Sequence, residues 1–333
     1  MLLQEDLKKA YSGSRVLVTG GLGFIGSNLA IRLVEMGAKV TIIDNQMPET
    51  GANEFNLEPI RAQTEVIIAD VGDRSVLDGL VGRIDTIFNL AGTLSHTDSM
   101  RDPYRDLHSN CTGHMQLLDS VRDAKSSAKI LYAATRAQYG RAQKLPVDEN
   151  HPLISADVNG INKTSGEAYH MLYSRAYGVR TCSLRLTNTY GARHQMRHHR
   201  QGVLNWFVRR VLDGNPILVY GSGQQIRDIN YVDDVVDAML MAAGSDKTNG
   251  EIYNLGGNHV SLKALGELLV KLNGSGKVEI VPYPKDSKEV EVGDFVADTR
   301  KIESVLGWKA KVSPEEGFAR TLDYYRKNQS KYW

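Results

Sequence analysis

The sequence predicts an α/β fold: a parallel sheet buried on both faces, followed by a smaller C-terminal lobe. Three observations carry that prediction. Short β-rich runs alternate with helical segments through the first half of the chain. Those runs are apolar without clean alternation, as strands covered on both faces are. Beyond residue 189 the pattern changes, because Gly, Pro and charged clusters interrupt it.

The elements follow in order. "RVLVTG" (15–20) is a strand running into glycines, and 24–36 is a helix closed by Gly37. "AKVTIID" (38–44), "EVIIAD" (65–70), "DTIFNLAG" (85–92) and "AKILYAAT" (128–135) are further strands, separated by helical segments at about 73–82 and 103–124. A helix at 159–177 leads into the strand "VRTCSLRLTN" (179–188). The second half holds short strands at 217–220 and 251–255 and helices at about 202–213, 232–243, 261–273 and 314–327. No repeat or low-complexity linker divides the chain, so the second half packs on the sheet edge as a lobe.

The totals limit what the protein does. With 333 residues there is ample material for one large domain or two tightly joined ones. Lys plus Arg number 40 against 39 Asp plus Glu, for a net charge of +1, so no basic field invites nucleic acid. No apolar run reaches the ~18 residues of a membrane span. The opening "MLLQEDLKKAYSGS" carries acids and too short an apolar core for a secretory signal. The expectation is a cytosolic protein with no nucleic-acid or membrane partner, in which Cys111 and Cys182 are reduced and structural.

"VLVTGGLGFIGSNLA" is a strand, then Gly20, Gly23 and Gly26, then a helix. Glycine permits the turn and the close approach of a diphosphate, and the helix N-terminus offers free N–H groups and a positive dipole end. The next strand ends in Asp44, where a carboxylate accepts from ribose hydroxyls and repels a 2′-phosphate. Asn45 follows and no Arg does, which favours NAD over NADP. The predicted fold is therefore a Rossmann-type doubly wound sheet. Asp70 ends the third strand beside the adenine position, with Val71 after it. Leu90, Ala91 and Gly92 follow Asn89 at the end of the fourth, where small residues leave room for a cofactor. Phe24 and Ile25, at the helix start, complete the cofactor set.

At this point the chain resembles the extended short-chain dehydrogenase/reductase family, in its sugar-nucleotide epimerase/dehydratase branch, over nearly its whole length. The residues are TGxxGxxG at 19–26, Asp44, "FNLAG" at 88–92, Asn110, Thr135, Lys163, "RLTNTYG" at 185–191, "RDINYVDDVVDA" at 227–238 and "GD" at 293–294. The resemblance implies an NAD-binding domain over 1–188, rejoined by about 229–248, and a sugar-nucleotide lobe over 189–228 and 249–333. It implies cofactor contacts from Asn110 and Lys163, and substrate contacts from Asn188, Arg193, Tyr220, Arg227 and Asp294. It also implies a homodimer through a four-helix bundle, with Met115, Leu118, Met171 and Leu172 on the two paired helices.

Three departures stand out. The family places a catalytic Tyr four residues before the Lys, with Thr135 holding the same hydroxyl; here that position is Asn159. An amide has no useful pKa and is not a general base. The dehydratases' Asp-Glu pair after the Thr is replaced by Arg136 and Ala137. The Arg two residues before the late Gly-Asp is replaced by Glu291.

His96, in "TLSHTDS" (93–99), Asp157 and Lys163 are the candidates to replace the tyrosine, and none of them is the fourth alternative. "GARHQMRHHRQG" (191–202) is a basic loop that suits an anion, since Arg binds carboxylates and phosphates bidentately. Its His194 and His198 have i,i+4 spacing, but no third ligand lies nearby, so no metal is expected. Tyr220 stacks on a base or fills the core. Three functions remain open: an NAD-dependent epimerase acting on a nucleotide-activated sugar, a lyase of the same substrates with recycled NAD, and a silent binding protein.

Overall fold

The computed structural model describes residues 4–283 and 293–333. Its first six strands are β1 (Arg15–Thr19), β2 (Lys39–Asp44), β3 (Thr64–Ile68), β4 (Thr86–Asn89), β5 (Lys129–Thr135) and β6 (Thr181–Leu186). Six more follow: β7 (Asn188–Tyr190), β8 (Ile217–Tyr220), β9 (Ile226–Tyr231), β10 (Glu251–Leu255), β11 (Asn258–Ser261) and β12 (Val278–Val281). The large sheet is parallel throughout, in the order β10-β6-β5-β4-β1-β2-β3. β1 sits between β2 and β4, where the winding direction reverses. Above the carboxyl ends of those strands a doubly wound sheet opens its crevice.

The helices are α1 (Gln4–Tyr11), α2 (Phe24–Glu35), α3 (Arg74–Leu77), α4 (His96–Arg101), α5 (Pro103–Leu107), α6 (Gly113–Asp123), α7 (Val158–Tyr177), α8 (Val203–Leu212), α9 (Val232–Ala243), α10 (Leu262–Asn273), α11 (Arg300–Leu306) and α12 (Pro314–Asn328). Strand alternation divides the core between the two faces. Val16 and Val18 pack with Leu29 and Leu33 of α2 and with Val235 and Met239 of α9. Leu17, Ile87 and Ile130 pack on the other side with Leu117, Leu118 and Val121 of α6. Both faces are dry, which is why the strand sequences lack alternation.

Several expectations change. The helix expected at 103–124 is interrupted by a π turn over His108–Thr112, which separates α5 from α6. The stretch 93–99 is not all loop, because Ser95 caps α4 by accepting from the Asp98 N–H at 3.1 Å. The segment at 73–82 shortens to α3 and a 3-10 turn over Val81–Arg83. Leu118 and Met171 are buried in this chain's own interior and so present no surface to a partner. β10 lies at the edge of the large sheet, paired with β6, although the sequence division at 249 assigns it to the lobe. Glu291 lies outside the described residues. Cys111 and Cys182 are free and buried.

One buried ion pair fixes α7 on the sheet. Glu167, on α7, receives Arg185 of β6, with Nη2 to Oε1 at 2.6 Å and both side chains 4% exposed or less. Ser183 Oγ and Gln138 Nε2 also donate to this carboxylate, at 2.7 and 3.1 Å. Burial works against the Arg185 charge, and Glu167 more than offsets it, so the guanidinium is held above its ordinary pKa. Removing one partner of such a pair leaves a bare buried charge, at a cost of about 3–5 kcal/mol. Glu167→Gln is expected to lower stability by about that amount in urea unfolding; a loss below about 1 kcal/mol would show that the pair does not hold the helix.

Candidate active site

A cleft of about 1130 Å³ lies across the switch point. Its floor is the glycine turn. An added Cβ at Gly26 would stand 2.3 Å from the Gly20 carbonyl oxygen, so only glycine lets α2 start this close to β1. No side chain caps α2 at Gly23, which leaves its first N–H groups for an anion. Asp44 ends β2 and borders the cleft, with Oδ2 accepting from the Leu22 N–H at 3.0 Å and Oδ1 from the Gln46 N–H at 2.9 Å. Burial raises its pKa against these two donors. The carboxylate thus stiffens the glycine turn at the border of the cleft.

The expected cofactor residues meet here. Gly20, Gly23, Phe24, Ile25, Gly26, Asp44, Asn45, Asp70, Val71, Leu90, Ala91, Gly92, Thr135 and Lys163 all line this cleft. A ribose-facing acid, a bare helix N-terminus and a glycine floor fit a dinucleotide. Asn45 Nδ2 donates to Asp70 at 3.0 Å, which ties the ends of β2 and β3 together. Asn110 does not line the cleft. The π turn sets it behind Gly92, where its Nδ2 donates to Thr93 Oγ1 at 2.7 Å and where a Gly92 Cβ would lie 2.3 Å from its Oδ1.

Thr135 closes β5 and caps the turn that follows, with Oγ1 accepting from the Ala137 N–H at 3.2 Å. Its hydroxyl proton stays available for a ligand. Lys163 is buried on α7 and donates through Nζ to the Ala133 carbonyl at 3.2 Å. Burial pushes its pKa down to about 8, against the pull of Asp106. Asn159 lies one turn earlier, also buried, and its Nδ2 donates to the Thr93 carbonyl at 2.8 Å and to Asp106 Oδ2 at 3.0 Å.

His96 and Asp157 pair with each other and stay out of the cleft lining. His96 Nδ1 lies 2.6 Å from Asp157 Oδ2, and the ring is half exposed. Asp157 also caps α7, accepting from the Gly160 N–H at 2.8 Å. Burial raises the Asp157 pKa, but the His96 contact and the cap outweigh it and leave a net lowering. Asp157 is thus held as a structural anion, and α4 turns His96 onto it.

The basic loop does not adopt the helical spacing of His194 and His198. His198 Nε2 contacts the Glu49 carbonyl oxygen at 3.0 Å, and Arg200 bridges Asp98 and Glu49 at 3.0 Å each. Arg200 therefore meets acids of two other segments. His194 and Gln195 border the cleft in place of Arg193. Arg193 donates to Asn28 Oδ1 at 2.9 Å and stacks over the Tyr324 ring. No group of residues suited to a metal ion is found among the described residues.

The remaining expected residues gather on the lobe side of β9, outside this lining. Asn188 Nδ2 donates to the Asp228 carbonyl at 3.0 Å, Arg227 Nη1 to the Gly293 carbonyl at 2.8 Å, and the Ile226 N–H to Asp294 Oδ1 at 2.7 Å. Tyr220 lies against Tyr283, 6.0 Å between ring centroids. Sequence reasoning missed Asp106 and Thr93. Asp106 stands one turn before Asn110, a spacing that could have placed both on one helix face.

A family model described as the NAD dependent epimerase/dehydratase family matches residues 16–256. A UDP-N-acetyl-alpha-D-glucosaminuronate decarboxylase of Bacillus cytotoxicus is 30% identical over 321 residues, covering 94% of this chain and 98% of the relative. The UDP-glucose 4-epimerase of Thermotoga maritima, solved with UDP-glucose, superposes with a TM-score of 0.86 at 32% identity, over 95% of this chain and 99% of that one. The dTDP-glucose 4,6-dehydratase of Streptomyces venezuelae, solved with NAD bound, gives 0.86 at 27% identity, over 96% and 98%. The glycine turn, Asp44 and this likeness lead to one conclusion: the chain belongs to the NAD-dependent epimerase/dehydratase family.

Proposed function

We propose that this protein removes hydride transiently from a nucleotide-activated sugar and returns it, as an epimerase or a related oxidoreductase. The observation that carries the reading is the meeting of Thr135 and Lys163 with the dinucleotide residues in one cleft. Bound NAD supplies a reversible hydride acceptor. The residues 1–188, with 229–248, hold that cofactor. The lobe residues Asn188, Arg193, Tyr220, Arg227 and Asp294 contact the nucleotide and sugar, an assignment supported by the gathering of most of them along β9. Thr135 donates to the reacting hydroxyl. Lys163 donates to the nicotinamide ribose, and the positive charge it carries once protonated favours the reduced form. A dehydratase reading draws support from the Streptomyces venezuelae relative. It is the weaker one, because Arg136, whose guanidinium lies 5.4 Å from the Phe295 ring centroid, and Ala137 stand where that chemistry needs an acid and a base.

The test is incubation with NAD and a panel of UDP-, CDP- and dTDP-sugars in D₂O. A new epimer of unchanged mass reports hydride return after rotation, a deuterium gain reports proton exchange, and loss of water reports the lyase. Binding without any of the three would contradict enzymatic function. Lys163→Met keeps the apolar stem but deletes the charge and its donors, and a charge-assisted hydrogen bond is worth about 1.5–3 kcal/mol. Calorimetry is expected to show NAD affinity weakened roughly 10–150-fold. Affinity equal to the parent's would remove Lys163 from the cofactor site.

We also propose a homodimer through α5–α6 and α7, working in the cytoplasm. The support for the dimer is the exposed apolar surface of Tyr104, Leu107, Ile161 and Leu172 on these helices. Light scattering at micromolar concentration is expected to give twice the chain mass of 36.9 kDa; a monomer mass would sink the bundle.

A further inference from the structure

Asp106 is a buried charge that the reaction above leaves unused. It is 2% exposed and sits on α5, facing α7. Its Oδ2 accepts from Thr93 Oγ1 at 2.7 Å and from Asn159 Nδ2 at 3.0 Å, and its Oδ1 from Asn162 Nδ2 at 2.9 Å. All three donors are neutral. A carboxylate this deep persists only when its lone pairs are satisfied. It also borders a second, smaller cleft that shares Thr50, Leu94 and Gln201 with the first.

These contacts fix which way the Asn159 amide points. Nδ2 faces two acceptors, the Asp106 carboxylate and the Thr93 carbonyl. Exchanging nitrogen for oxygen would set Oδ1 against both. Oδ1 is therefore left on the other edge of the amide, without a hydrogen-bond partner among the described residues. Asn159 itself borders neither cleft; it stands one turn before Lys163, which lines the first.

We propose that Asp106 is a positioning residue of the reaction centre: it locks the Asn159 amide one turn from Lys163, and it governs the charge of Lys163, which takes the reacting sugar hydroxyl's proton. The proposal rests on the sugar-oxidation reading. In the forward step the O–H bond breaks and its proton passes to the neutral Nζ, giving an ammonium. The carbon's hydride goes to the dinucleotide and the C–O bond becomes a carbonyl. The return step reverses each transfer.

The surroundings of Lys163 suit this role. Burial brings its ammonium down to about 8, so a neutral fraction exists at working pH, and Asp106 keeps the value from falling further. The other titratable groups that face it are His114 of α6, His170 of α7 and Tyr132 of β5. Burial lowers both histidines, His170 to about 4, and raises Tyr132, so all three are neutral through this range. Burial is the larger influence on Lys163, and Asp106 is the charge that opposes it.

The test uses NAD alone, by calorimetry in buffers of different ionisation heat across pH. NAD binding by the parent protein is expected to exchange a proton, most strongly near the Lys163 transition. Lys163→Met should abolish the exchange. Asp106→Asn removes a charge that raises the Lys163 pKa, so the pH of maximal exchange should fall, by about one unit. The double exchange Asp106→Asn with Asn159→Asp restores one carboxylate and one amide, and should bring the maximum back up. An unchanged maximum in Asp106→Asn, or exchange that survives Lys163→Met, would overturn the proposal. Failure of every sugar to turn over would sink the oxidation reading, whereas the proton exchange is read without any sugar.

Discussion

The site depends on a polar stripe along one buried face of α7. Asn159, Lys163, Glu167 and His170 follow one another at helical spacing, and all four are buried. An apolar stripe would bind any apolar surface, but this one needs a specific partner at each level. Asp106 and Thr93 meet Asn159, the Ala133 carbonyl meets Lys163, Arg185 meets Glu167, and Asn89 meets His170 at 3.2 Å. A shift of the helix by one residue would strand every one of these groups. The Glu167–Arg185 pair is the strongest of the contacts and so sets the register of the others. Lys163 and Thr135 reach the same cleft because that register holds.

Asn159 shows how a buried amide is accommodated. An amide needs a fixed direction, and Asp106 with Thr93 provides it. The carboxylate brings a cost, since a buried charge without an ion-pair partner must be solvated by neutral donors. Thr93, Asn159 and Asn162 serve as those donors. Asn110 supports them from below by holding Thr93 in place. The loop after β4, α5 and the start of α7 therefore form one connected polar unit around Asn159.

Much of this was legible in the sequence, for local reasons. The strand–glycine–helix run at 15–36 and Asp44 depend on short-range spacing, and the cleft assembles around them as expected. Asn159 and Lys163 were legible because helical spacing puts them on one face. Asp106 was not, because its contact with Asn159 joins residues 53 positions apart. His96 has the right chemistry for a base, but residues 96–101 coil into a helix that turns the ring onto Asp157. The basic loop reads as a phosphate clasp by composition. Its Arg200 is met by Glu49 and Asp98, acids that are remote in sequence. Arg193 takes a left-handed backbone, φ 73°, that no local pattern announced, and its side chain runs to Asn28.

The central claim is the proposal that Lys163, beside the Asp106–Asn159 contact, takes the proton of the reacting hydroxyl. A crystal structure with NAD and UDP-glucose tests it most directly. The account predicts one sugar hydroxyl within hydrogen-bond reach, about 2.6–3.2 Å, of Thr135 Oγ1 and Lys163 Nζ, with Asp106 still on Asn159 Nδ2. A sugar whose nearest hydroxyl sits against His96, with Lys163 out of reach, would contradict it.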